Sequence, residues 1–241
     1  MKIVITLVVI VFISDFQSIN GQEDKFTAFP TEATELELLN RLRLDRNIKA
    51  REEVSYESIE GDPFLYQDFV SGKLFLKTGE SIPSNFRFDI FKGEIQFGNK
   101  DEIYALINPE SVSSVLIDTL RFIYSGFLKS REDIGSVENS WFILKKDGKY
   151  RLLIRKNLRL QAVTPPKPYQ EEGSPAKFIH TRDTYYVQPE GGSAVKIDNK
   201  KDLLDFLPDK NGRLNSFIKD NNLDVKKVDD LAKIISFCNS L

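Results

Sequence analysis

The feature that most constrains the fold of this chain is a series of short apolar runs between positions 70 and 124, broken by turn residues every few positions. Residues 70–77, 82–91, 94–97, 102–107 and 112–124 read as strands, because apolar and polar side chains alternate with the period of two that puts neighbours on opposite faces of a pleated chain. Phe86, Phe88 and Ile90 share one face, with Arg87 and Asp89 on the other, so the sheet has one dry side. Leu74 and Leu76 oppose Lys73 and Lys77, and Phe75, set among the lysines, calls for cover from another element. Thr78-Gly79-Glu80, Lys92-Gly93 and Gly98-Asn99 supply the residues that tolerate positive φ in tight turns. Together these signals predict an antiparallel meander.

The pattern resumes after a polar stretch over 125–139. Trp141-Phe142-Ile143-Leu144 is apolar at every position and predicts a strand buried on both faces. Asp147-Gly148 then leads to residues 150–155, the strongest hairpin signal in the chain. Residues 164–176 hold Pro165, Pro166, Pro168, Gly173 and Pro175, which exclude helix and inner strand and predict a long exposed loop. Residues 178–187 and 194–197 form one more hairpin across 189–192.

On either side of this sheet the spacing is helical. Residues 31–46 predict a short amphipathic helix with Thr31 or Thr34 as its cap and Leu38, Leu39 and Leu42 as its stripe. The charged stretch over 45–60 reads as a solvated connection. Gly61-Asp62-Pro63-Phe64-Leu65-Tyr66 is a turn whose aromatics close one end of the core. From residue 199 onward, Leu203, Leu204 and Leu207, then Leu214, Phe217 and Ile218, then Val228, Leu231, Ile235 and Cys238 mark about three helices. Asp198 or Asn199 caps the first and Asp224 the third, and Pro208 ends the first. The expected fold class is α+β: a mainly antiparallel sheet meander, open to strong curvature, with a short N-terminal helix and a C-terminal cluster of helices. Its expected divisions are 1–21, 22–60, 61–198 and 199–241.

Residues 1–21 have the form of a secretory signal. Lys2 precedes eleven uncharged, mostly apolar residues, too few to span a bilayer, which takes about 20. Export is the expectation, with cleavage near Gly21 and a periplasmic or extracellular product. No cysteine lies near this segment, so no lipid anchor is expected there. Cys238 is the only cysteine, which rules out an internal disulfide and fits a bacterial envelope better than an animal secretory route. The 34 basic and 36 acidic residues are interspersed, so no basic face points to nucleic acid or an anionic membrane.

Most reaction chemistries lack their residues. His180 is the only histidine, and its place beside Ile179 on a strand reads as a polar-face residue, leaving neither a base for a hydroxyl nucleophile nor a zinc ligand set. Residues 198–202 and 220–230 lack the spacing and central glycine of a calcium loop. No glycine pattern cradles a phosphate, and no cofactor is expected. Asp89 and Glu94 flank one turn and are the single carboxylate pair worth weighing for glycoside hydrolysis, against a reading as a solvated sheet face.

Gly61 to Leu65, the Lys77-Thr78-Gly79-Glu80 turn, the run Phe86-Arg87-Phe88-Asp89-Ile90-Phe91, the Asp147-Gly148-Lys149 hairpin and a final helix ending near Asn239 carry a resemblance. The chain resembles a group of uncharacterised exported proteins of Bacteroidota. That resemblance implies a periplasmic or envelope-associated protein and transfers no catalytic residue. Binding is therefore expected over catalysis: a scaffold or binding module that meets another envelope protein through a sheet face or edge and the proline loop, with Pro166, Pro168, Tyr169 and Tyr185 as candidate contacts. Tyr56 and Tyr66 are further aromatics of exposed type. The alternatives are a carrier of an apolar ligand such as lipid between sheet and helices and, behind it, a carboxylate-dependent glycoside hydrolase.

Overall fold

The computed structural model describes residues 48–50 (backbone only), 56, 58–100, 102–128, 136–165, 173–209 and 212–241. The signal segment expected over 1–21 and the helix expected over 31–46 fall outside them; of the connection expected over 45–60, only 48–50, 56 and 58–60 are described. That connection is not all solvated coil, because β1 (Ile48–Ala50) pairs antiparallel with β5 (Ile103–Leu106).

Ten further strands were largely foreseen by the period-two pattern. β2 (Val70–Leu76), β3 (Ser81–Asp89), β4 (Glu94–Gly98) and β5 form the expected meander. The next stretch departs from expectation. Residues 112–124 are not one strand but β6 (Val112–Ile117) and the start of β7 (Leu120–Leu128), reversed at Asp118 with φ 52°. Aspartate is among the few residues besides glycine that enter the left-handed region readily. β6 returns to the free edge of β2, which ends the meander. β7 also runs on to Leu128 and β8 (Val137–Lys146) begins at Val137, so both ends of the polar stretch over 125–139 are strand. β9 (Tyr150–Gln161), β10 (Lys177–Pro189) and β11 (Ala194–Lys196) complete the sheet. Its order is β1-β5-β4-β3-β2-β6-β7-β11-β10-β9-β8, antiparallel throughout except for the β7–β11 pair.

The sheet closes on itself. β8 pairs with β7 as well as with β9, so β7, β8, β9, β10 and β11 form a hydrogen-bonded ring. Ile123, Phe127, Phe142, Leu153, Tyr186 and Ala194 form one buried cluster on its strands. Phe127, Phe142 and Tyr186 meet edge to face at centroid distances of 5.1–5.7 Å, the arrangement aromatic quadrupoles favour. A second circuit runs through the predicted turn before β2. Glu60 bridges to Lys177 of β10, and Phe64 bridges to Asp89 of β3. The core that gathers Phe86, Phe88, Ile95, Phe122, Trp141 and Ile143 lies on the opposite face of the shared strands β7 to β9. Trp141 and Ile143 serve this core while Phe142 serves the ring, so the strand buried on both faces is observed.

The helices are α1 (Lys200–Phe206), α2 (Arg213–Asp220) and α3 (Val228–Asn239). Asn199 caps α1 in a reciprocal capping box with Asp202, and α1 stops at Leu207, whose extended ψ is what Pro208 imposes on the residue before it. Asp224 does not cap α3. Lys227 holds that position, and the Asp224 amide instead donates to the Asp230 carboxylate. Leu203, Leu214, Leu231, Ile234 and Ile235 bury against Leu152 and Val187, extending the face of β9 and β10 that carries the larger core. Among the described residues, no helix is long and apolar enough to cross a membrane.

Candidate functional site

The β9–β10 hairpin carries Tyr185, and it changes character along its length. Its inner half is core: Leu152, Leu153 and Ile154 pair with Val187, Tyr186 and Tyr185. Between Thr181 and Thr184 a bulge sets Arg182 and Asp183 opposite Lys156 alone. Bulges of this kind re-aim side chains and bend the strand. Asn157 pins it, its Nδ2 donating to Arg182 O and to Thr184 Oγ1 at 2.8 Å each. Lys156 Nζ and Asp183 Oδ2 lie 2.8 Å apart across it, both half-buried.

Beyond the bulge the hairpin becomes an outer arm. Its pairing continues from Leu158 with His180 to Gln161 with Lys177, and Thr164 and Ser174 exchange two 2.9 Å backbone bonds at the mouth of the proline loop. Leu160 is 40% exposed and Val163 67% exposed on this arm. Among the described residues, β9 has no strand on its β8 side past Ile154, and the backbone of 155–161 is an unpaired edge with respect to them. The opposite side is tied down. The Phe178 amide donates to Glu60 O at 2.8 Å, and His180 Nε2 lies 2.9 Å from Asp62 O. His180 is exposed, as expected, and its contact is with the Gly61–Phe64 turn.

Beside the bulge lies a cleft of about 170 Å³ lined by Arg182, Asp183, Thr184, Tyr185, Lys196, Ile197, Asp198, Val225 and Lys226. Arg182 Nη2 donates to Lys226 O at 2.9 Å, which ties the bulge to the loop between α2 and α3. Lys196 Nζ and Asp198 Oδ1 pair at 2.9 Å. Ile197 and Val225 are buried.

Of the four candidate contacts, Tyr185 stands in the cleft wall, with its ring partly buried against both large cores. Pro166, Pro168 and Tyr169 lie outside the described residues. Tyr56 is not a free surface ring: it packs with Phe64, Phe91 and Phe178 at 5.3–6.4 Å, and its hydroxyl donates to Asp89 Oδ2 at 2.8 Å. Asp89 and Glu94 are direct cross-strand neighbours, but not on a solvated face. Asp89 is fully buried, and its other oxygen accepts the Lys92 amide at 2.9 Å. Its carboxylate closes the β3–β4 turn from within, out of reach of a substrate. Phe64 and Phe69 cover the same face, stacking on Arg87 at 3.6 and 4.5 Å. The space where an apolar ligand was expected between sheet and helices is filled by Leu152, Val187, Leu203, Leu231 and Ile234, all at 0% exposure. Cys238 is part of that packing, and burial pushes its thiol pKa up.

Arg182 and Lys226 gave no signal in the sequence. They are far apart in the chain, and only the bulge and the fold of the α2–α3 loop bring them together. Compared with protein-family models, curated proteins and solved structures, the chain matches none.

Proposed function

We propose that this chain is an exported, envelope-associated binding module that engages a protein partner through the outer arm of the β9–β10 hairpin. The observation that carries this reading is the coincidence, on one short arm, of a β-edge over 155–161 that is unpaired among the described residues with two exposed apolar side chains, Leu160 and Val163. An open edge offers main-chain bonds to an extended segment, and exposed apolar residues beside it supply the pockets and contacts that select one. Pro166, Pro168 and Tyr169 follow this arm in the sequence. The filled sheet–helix interface favours this reading over an apolar-ligand carrier, and the burial of Asp89 favours it over a glycoside hydrolase.

The test is crosslinking in intact cells that export the tagged full-length chain, followed by mass spectrometry. The expected result is one recurrent envelope protein, captured by the wild type and lost when Leu160 and Val163 are both replaced by serine. Recovery of the same protein with the double variant overturns the assignment to the arm.

A further inference from the structure

We infer that the cleft beside the β10 bulge is a binding site for the anionic group, carboxylate or phosphate, of a small molecule. This site is separate from the outer arm and does not depend on it. Positive charge is left over in a concave place. Both carboxylates that line the cleft already have a lysine: Asp183 pairs with Lys156 at 2.8 Å and Asp198 with Lys196 at 2.9 Å. Arg182 and Lys226 remain. The Arg182 side chain gives one bond, from Nη2 to Lys226 O, and its other guanidinium N–H groups have no partner among the described residues. The Lys226 ammonium likewise has none there.

The same cleft presents hydrogen-bonding groups that an anion can use. Thr184 Oγ1 accepts from Asn157 and keeps its own proton to donate, and the Tyr185 hydroxyl has no partner among the described residues. A guanidinium with free N–H groups suits the planar oxygens of carboxylate and phosphate, and charge-assisted bonds of this kind are the strong ones. Buried Ile197 and Val225 add apolar surface to the lining. A volume of about 170 Å³ is smaller than the roughly 300 Å³ at which drug-sized ligand pockets begin, so the site takes a head group and a few further atoms. The geometry is also held in advance. Asn157 locks the bulge from β9, and Arg182 is anchored to the α2–α3 loop, so little ordering remains to be done on binding.

The test is a titration of the purified full chain at low ionic strength with two probes, inorganic phosphate and galacturonate, followed by the Arg182 Nε–H and the Tyr185 and Lys226 amide resonances. At least one probe is expected to shift these signals saturably in the millimolar range. Phosphate alone marks a phosphate-bearing ligand, and galacturonate alone a carboxylate. Arg182→Gln is expected to weaken binding about tenfold or more, the loss of a charge-assisted donor. Lys226→Gln, whose side chain bonds to nothing among the described residues, is expected to weaken it without changing the thermal unfolding midpoint. Lys219→Gln, on the exposed side of α2, should leave it unchanged. Absence of saturable shifts with both probes overturns the inference, as does binding that Lys226→Gln and Lys219→Gln affect equally.

Discussion

Asn239 shows how one side chain can stand in for a strand. Its Oδ1 accepts from Tyr150 N at 2.8 Å and its Nδ2 donates to Tyr150 O at 2.9 Å, so the last residue of α3 satisfies both backbone groups at the start of β9. Gly148 makes room for it: a Cβ there would lie 2.5 Å from Nδ2, on a backbone with φ of 142°. Asn239→Ala leaves both Tyr150 groups without this partner and is expected to lower stability by about 1–3 kcal/mol in urea unfolding. A second residue adds a pH dependence. The Asp224 amide and Lys233 hold the Asp230 carboxylate below its ordinary range. A carboxyl lowered by folding stabilises the native state above its unfolded pKa of about 4 and stops doing so as pH falls through the lower folded value. The stability gap between wild type and Asp230→Asn should therefore be open near neutral pH and close under acid. Sequence reading placed Asn239 at the end of the last helix, but its role depends on a partner 89 positions away, which no local pattern reports.

At the scale of elements, period two and helical spacing carried most of the fold, and the failures have physical causes. The β6–β7 reversal was missed because Asp118-Thr119 lacks the glycine that usually advertises a two-residue turn, although aspartate can adopt the required φ. Asp89 read as solvated because alternation reports which face a side chain is on, not whether another segment covers that face. Phe64, Phe69 and Tyr56 supply the cover. The β10 bulge was invisible for the converse reason. It is one extra residue in a long strand, and it re-aims Arg182 and Asp183 only once β9 is paired beside it. Asn157→Ala should loosen this bulge: the expected cost is about 1–3 kcal/mol from the unsatisfied groups, with faster amide exchange confined to residues near 181–184 in hydrogen-exchange measurements.

The described strands form two hydrogen-bonded circuits that share β7 to β10, one filled by Phe127, Phe142 and Tyr186, the other by the larger core around Phe88 and Trp141. Phe88 is 5% exposed there, 5.0 Å from the Phe122 ring, so Phe88→Asp buries a charge without a partner and is expected to abolish cooperative thermal unfolding. On the outer arm of the β9–β10 hairpin Leu158 packs against the larger core and Phe178 is buried, while Leu160 and Val163 face outward; surface changes at such exposed positions usually alter stability by no more than about 0.5 kcal/mol. Binding through this arm, which the cores hold in place, is the proposed function. It is tested most directly by placing a photo-crosslinking residue at Val163 of the otherwise wild-type chain and illuminating the exporting cells. A single discrete adduct, competed away by wild-type chain but not by a chain carrying Leu160→Ser and Val163→Ser, is the predicted result. No adduct, or equal competition by both chains, would contradict it.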